Sequence, residues 1–320
     1  MEVPDAADRF SGQVNVVTIG ATAQDGGTRG STIKIGGAKS VVLAGRPEDA
    51  GLKPVVAMDV LDRAPEDWTE TLTKPFEGVT GDPGAWARRC VEDFGADLVC
   101  LMLEGTHPDK GDRSPAQAVE AVKAVLQAVS VPVIVWCGGS DEKDNKVMPA
   151  VSQAAKGENC LLGVATEDNY KTLTAVCLAD GHHLIALAPI DINKAKQVNI
   201  LVSDMGYALE KIVMFQTTGA LGYGLEYAYS IQERERLAAL GGDRMMAQAV
   251  IADAGYESWR AKEAKGEDAD FPEWGRRDDR GPLWEATTAA DLLMSGVDII
   301  RMRHPAAVAS VKRLIDQLWK

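Results

Sequence analysis

Phe94-Gly95-Ala96-Asp97-Leu98-Val99-Cys100-Leu101-Met102-Leu103 joins a glycine that closes one helical segment to six consecutive apolar residues. Glycine just past a helix tolerates the left-handed turn that ends it. An apolar run with no polar alternation reads as a strand buried on both faces, as in a parallel sheet. The arrangement recurs at Ser295-Gly296-Val297-Asp298, which opens the run Val297–Met302. Between these two lie further runs of the same kind: Pro132–Trp136, Leu161–Val164, Leu184–Leu187, Ile212–Phe215 and Ala249–Ala252, while Val55–Met58 precedes them.

Segments of helical period separate the runs: Pro83–Phe94, Pro115–Val129, Lys146–Ala155, Asp168–Leu178, Asn193–Met205, Leu225–Leu240 and Leu283–Met294, with Pro305–Leu318 last. Ser114-Pro115 pairs a cap residue with proline at the first helical position, and His304-Pro305 repeats the proline. Eight strands, each followed by a helix, predict an α/β fold, a (β/α)8 TIM barrel. An open doubly wound sheet is the second choice, because it needs a glycine-rich first turn.

Two regions depart from the alternation. Val14–Ile19 and Ser31–Ile35, joined through Gly26-Gly27, predict a β-hairpin plugging the N-terminal face of the barrel. Residues 255–282 are polar, tryptophan-bearing and irregular, an insertion placed on the C-terminal mouth. The expected organisation is one domain over 1–320, with a hairpin cap at 1–50 and the barrel at 51–320.

Composition narrows the function. The chain has 320 residues, and 34 basic against 47 acidic side chains give a net charge of −13, which repels a phosphate backbone; no basic stripe offsets it, so nucleic acid is not an expected partner. No run approaches the length of about 20 apolar residues that a transmembrane helix needs. Met1 to Gly12 is polar and acidic, unlike a signal peptide, so the expected location is the cytoplasm and no membrane partner is expected. The five cysteines, Cys90, Cys100, Cys137, Cys160 and Cys177, form no C-x-x-C pair, which argues against a disulfide framework or a cluster held by this chain.

In a barrel of this kind the site is built from residues following each strand. Those are Asp59 and Asp62; Glu104 to His107; Cys137-Gly138-Gly139; Thr166 and Asn169; Pro189, Asp191 and Asn193; Gln216 to Gly224; Asp253, Gly255 and Tyr256; Arg303 and His304. Histidines are few, and no H-E-x-x-H spacing puts two ligands on one helix face, so no metal site is expected. His182-His183 precedes a strand and reads as a surface pair at the opposite mouth. Cys137 lacks a histidine placed to activate it and reads as core. Asp191 and Asn193 can reach one pocket, although capping of the following helix is the better account of Asp191 and a lesser one of Asn193. His304 can touch a ligand or merely start a helix. The segment Thr217-Thr218-Gly219-Ala220-Leu221-Gly222-Tyr223-Gly224 holds three glycines in six positions, a costly choice that suits close backbone approach to a flat, bulky ligand. Apolar surface is expected around Leu221, Tyr223 and Trp274.

Several long motifs resemble one family. Gly20-Ala21-Thr22 through Gly26-Gly27-Thr28-Arg29, Pro189–Leu201 (PIDINKAKQVNIL) and Ala220–Arg234 (ALGYGLEYAYSIQER) are similar to the small subunit of the corrinoid/iron–sulfur protein. So are Gly255–Glu263 (GYESWRAKE), Trp274-Gly275, Gly281–Ala286 (GPLWEA) and Met302–Pro305 (MRHP). This is the delta subunit family of acetyl-CoA decarbonylase/synthase in the Wood–Ljungdahl pathway. The resemblance implies a TIM barrel paired with a larger subunit that holds a [4Fe-4S] cluster and a corrinoid-binding domain. It implies a corrinoid of cobalamin type between that domain and the C-terminal mouth, near Asp191, Asn193, Thr217, Thr218, Gly219, Leu221, Gly222, Tyr223, Gly224, Tyr256 and His304. The heterodimer would take a methyl group through a methyltetrahydrofolate methyltransferase and deliver it on cobalt to CO dehydrogenase/acetyl-CoA synthase, with no catalysis by this chain itself. Two alternatives stay open: a methyltetrahydrofolate:corrinoid methyltransferase barrel with a pterin pocket, and a scaffold that touches no ligand.

Overall fold

The computed structural model describes residues 10–42 and 47–319; the remainder of the expected cap, at 1–9 and 43–46, lies outside the described residues. An antiparallel ribbon, β1 (Val16–Ile19) and β2 (Ile33–Gly36), comes first. Eight parallel strands then close a barrel: β3 (Val55–Leu61), β4 (Leu98–Met102), β5 (Val133–Trp136), β6 (Leu161–Ala165), β7 (His183–Leu187), β8 (Ile212–Phe215), β9 (Ala249–Ala252) and β10 (Ile299–Met302). They pair in chain order, and β10 closes on β3 with Ile299 beside Val55 and Met302 beside Met58. The helices are α1 (Glu70–Thr73), α2 (Pro83–Glu92), α3 (Pro115–Ala128), α4 (Asp141–Ala154), α5 (Tyr170–Asp180) and α6 (Ile192–Asp204). They continue with α7 (Leu225–Leu240), α8 (Ala254–Ser258), α9 (Lys262–Lys265), α10 (Arg277–Met294) and α11 (Pro305–Leu318).

Alternation along each strand sorts its side chains into two layers. Val56, Met58, Val99, Leu101, Leu162, Ile212 and Ile300 face outward, packed against Trp86, Val122, Val125 and Val308 of the helices. Ala57, Leu98, Cys100, Ile134, Leu161, Ile185, Val213, Ile251 and Ile299 fill the interior. Both faces of the barrel strands are buried, which is why their runs are almost wholly apolar.

The ribbon seals the N-terminal end of the barrel. Val17, Ile19 and Ile35 are fully buried among Leu98, Leu161, Ala249 and Ile299 at the strand starts. Each such burial stabilises by roughly 1.5–3 kcal/mol. Beside the ribbon, Arg29 Nε donates to Glu158 Oε2 at 2.7 Å, and its Nη atoms reach the carbonyls of Val129 and Leu126. His182 and His183 are not the expected surface pair: both are buried here. His182 Nδ1 accepts from the Cys160 amide at 3.2 Å while Nε2 meets the Ser152 carbonyl at 3.0 Å, and His183 Nδ1 lies 2.9 Å from Asn159 Oδ1. Those partners come from distant segments, which the spacing of two histidines cannot announce.

Two helices start earlier than their period suggests. Three acidic residues, Asp141, Glu142 and Asp144, occupy the first turn of α4, where the helix dipole favours them. Asp144 also accepts the amides of Gly138 and Gly139 at 3.0 and 3.2 Å. Helix α10 runs through Pro282 from Arg277, because Arg280 ties its first turn to the carbonyls of Glu263, Gly266 and Gly275. The insertion at 255–282 is correspondingly less irregular than expected: α8, α9 and a turn at Pro272–Trp274 make it a collar.

Candidate functional site at the C-terminal mouth

The inward side chains nearest the C-terminal strand ends are no longer all apolar. Asp59 of β3 and Arg301 of β10 are fully buried and doubly hydrogen-bonded, Nε to Oδ1 at 3.0 Å and Nη2 to Oδ2 at 3.1 Å. Arg303 donates a third bond from Nε to Asp59 Oδ2 at 3.1 Å. The Arg301 guanidinium lies 3.9 Å from the centre of the Trp136 ring, and Trp136 meets Phe215 edge-on at 4.9 Å. A buried charge is tolerated only when paired and hydrogen-bonded, so this floor stands or falls as a unit.

Beside the floor stand polar groups that have no partner among the described residues. Gln216, at the end of β8, is fully buried, and neither its Oε1 nor its Nε2 has a partner among the described residues. Asp253, following β9, has Oδ1 unpartnered, and burial pushes its carboxyl up to about 7 against the opposing pull of Arg301 and Thr218. Burial likewise raises Glu285 to about 7, although it accepts from the Arg303 and His304 amides and, at 2.6 Å, from Trp259 Nε1.

The expected binding residues divide by this geometry. Asp191 caps α6, accepting the amides of Asn193 and Lys194 at 2.9 and 3.2 Å; Asn193 is exposed on the first turn. Thr218 is buried and its hydroxyl accepts the Asp253 amide at 3.2 Å. Thr217 adopts φ +58°. Gly219 serves the loop itself: a Cβ there would stand 2.4 Å from the Gly224 carbonyl carbon. Gly222 faces outward at φ +74°, with the Trp284 ring 3.8 Å from where its Cβ would be. Leu221 is half-buried, its amide donating to Thr288 Oγ1 at 3.2 Å. Tyr223 is 52% exposed, and Tyr227 and Leu283 are more so, at 63% and 66%. These three are the exposed apolar side chains of this region, whereas Trp274 is half-buried and stacked on Phe271 at 4.1 Å. Tyr256 is half-buried against Arg260 and Arg303. His304 caps α11 through Nδ1 and stacks on Trp259, and burial lowers its pKa to about 4.

Arg301, Glu285 and Trp68 were not among the strand-end residues. The signal for Arg301 is a lone charge inside the otherwise apolar Ile299–Met302, with Asp59 the matching lone charge in Val55–Leu61. Glu285 and Trp68 carry no such signal. Among the described residues no three His, Cys, Asp or Glu side chains are grouped to hold a metal, and all five thiols are buried, those of Cys100 and Cys160 pushed up to about 12 by that burial.

Residues 16–269 match the family described as CO dehydrogenase/acetyl-CoA synthase delta subunit. The chain belongs to this family. The delta subunit of the acetyl-CoA decarbonylase/synthase complex of Archaeoglobus fulgidus is 37% identical over 316 residues, covering 97% of this chain and 70% of that one. The delta subunit of Methanosarcina mazei is 35% identical, covering 96% of this chain and 71% of its own. In shape, this delta-family barrel resembles dihydropteroate synthases. The enzyme of Coxiella burnetii, solved with pteroic acid, aligns with a TM-score of 0.54 at 13% identity, over 85% of this chain and 97% of that one. That of Xanthomonas albilineans gives 0.53 at 13% identity, over 85% and 96%. At such identities the likeness concerns the fold. Among the described residues no helix of the delta-family chain is long and apolar enough to cross a membrane.

Proposed function

We propose that this chain is the non-catalytic small subunit of a cytoplasmic, heterodimeric corrinoid/iron–sulfur methyl carrier. The larger subunit holds the [4Fe-4S] cluster and a corrinoid domain, and the corrinoid sits between that domain and the C-terminal mouth. A methyltetrahydrofolate methyltransferase supplies the methyl group and CO dehydrogenase/acetyl-CoA synthase receives it. The observation that carries this reading is the exposure of Tyr223 and Tyr227 on and beside the glycine loop, Tyr227 lying against Gly224, and of Leu283 next to Trp284, which faces Gly222. An apolar surface of that kind, concentrated at the functional end of a barrel, is an interaction site.

The residues present fit a broad, flat cofactor with amide side chains. Gly222 leaves room for backbone approach, Tyr223 offers an aromatic face, and Asn193 and Thr217 offer polar groups at the rim. Each hydrogen bond so made contributes on the order of 1 kcal/mol net. When bound, the corrinoid supplies the cobalt that carries the methyl group. This chain's residues enclose and orient it, and the loop at 217–224 leaves one face reachable by a methyl donor or acceptor.

Coexpression with the cysteine-rich larger chain tests the reading. Size-exclusion chromatography should give a 1:1 heterodimer that retains cobalt, and a well-behaved monomer that ignores the larger chain overturns it. The alternative is a pterin-binding methyltransferase barrel. Calorimetric titration with methyltetrahydrofolate separates the two, since saturable binding to this chain alone would favour the methyltransferase alternative.

A further inference from the structure

Arg303 follows β10 and is 5% exposed. Its Nε is bonded to Asp59, but neither Nη atom has an acceptor among the described residues. The guanidinium carbon lies 5.0 Å from the Trp68 ring centre and 5.2 Å from that of Tyr256, so aromatic rings flank the group while the forked end stays open. Space is kept for it at Gly255, where a Cβ would stand 2.9 Å from Arg303 Cγ.

Neighbouring carboxylates do not serve that fork. Asp59 is shared with Arg301, Glu285 accepts the Arg303 amide rather than its side chain, and Glu257 pairs with Arg260 at 3.2 Å. Asp253 and Glu285 are both pushed up to about 7 by burial, which leaves each only partly charged near neutrality. The planar fork of a guanidinium matches a carboxylate or phosphoryl group bidentately.

We propose that Arg303 is the receptor for an oxyanion, a carboxylate or phosphoryl group carried by a small molecule bound at the C-terminal mouth. The site rests on the side chains alone, so failure of the heterodimer test leaves it standing, and its own failure leaves the methyl-carrier reading standing.

Thermal denaturation of the full chain with sodium acetate or inorganic phosphate, against sodium chloride at matched ionic strength, tests it. At least one oxyanion should raise Tm saturably, as a ligand of the folded state does. The Arg303 side-chain N–H resonances should shift with the same midpoint. The probe with the lower midpoint identifies the preferred group. Arg303→Gln should abolish the saturable part, and Arg303→Lys, which keeps charge but loses the fork, should weaken it about tenfold. Tyr256→Leu leaves the contact with Asp59 in place and should weaken binding about threefold; it keeps the test decisive if Arg303→Gln fails to fold. No saturable effect beyond chloride with either probe, or one that survives unchanged in the folded variants, overturns the proposal.

Discussion

At the N-terminal mouth most of the buried polar side chains described above meet protein partners: His182 and His183 reach Cys160, Ser152 and Asn159, and Arg29 uses its nitrogens on Glu158 and on two carbonyls, although Arg236 Nη1 and Gln248 Oε1 have none among the described residues. At the C-terminal mouth Gln216, Asp253 and Arg303 are as deeply buried yet keep atoms with no protein partner among the described residues. The same strands supply both ends. One end is closed by an apolar plug of Val17, Ile19 and Ile35, while the other has no such plug and gathers Gln216, Asp253 and Arg303 where the post-strand loops meet. That is the division of labour a parallel barrel imposes, because its loops after the strands gather at one face.

The largest effect should come from the charged floor. Asp59→Ala leaves Arg301 and Arg303 buried without their carboxylate and should cost about 3–5 kcal/mol in urea unfolding. A loss under about 1 kcal/mol would mean that the C-terminal end, too, is held chiefly by apolar packing. At the opposite mouth, Ile35→Ala should cost about 2–4 kcal/mol by opening a cavity in the plug, with subunit association unchanged. Weakened association in that variant would erase the contrast between the ends.

Titration separates the mouths by sign. The folded-state pKa of Asp253 is raised from 3.8 to about 7, so its stabilising contribution is complete below pH 4 and is lost as pH rises toward 7. His183 is lowered from 6.5 to about 4, so its contribution is complete above pH 6.5 and is lost as pH falls toward 4. Relative to the parent, Asp253→Asn should gain stability as pH rises from 4 to 7, and His183→Gln should gain as pH falls from 6.5 to 4. Each slope is at most about 1.4 kcal/mol per pH unit. Slopes of equal sign would show that the two buried sites respond to acid alike. Smallest of all is Gly222→Val: the left-handed backbone costs about 1 kcal/mol, the circular dichroism stays that of the parent, and corrinoid retention or methyl transfer in the heterodimer falls. Normal retention and normal transfer would reduce the loop to an ordinary turn.

Much of the barrel was legible because a strand buried on both faces needs an unbroken apolar run and a helix on its surface needs a stripe. Leu98–Leu103 and Leu225–Leu240 are readable for that reason, and the ribbon is readable from Gly26-Gly27 between two β-rich segments. The strand-end rule likewise reached Asp59, Gln216, Asp253 and Arg303. It could not say what each would meet. Asp191 proves to be a cap, Gly219 closes its own loop, and the exposed apolar residues are Tyr227 and Leu283 rather than Leu221 and Trp274.

The sequence by itself determined the eightfold alternation, the sealed end and the family, since periodicity, turn chemistry and long motifs are local properties of the chain. Only the tertiary structure decided which buried charges are matched and which are left open. Arg301 and Asp59 stand 242 positions apart and Arg303 and Asp59 stand 244 apart, and nothing local to either residue records the other. Burial makes such a pairing obligatory, but closure of β10 onto β3 is what brings the partners within reach and leaves the fork of Arg303 without one.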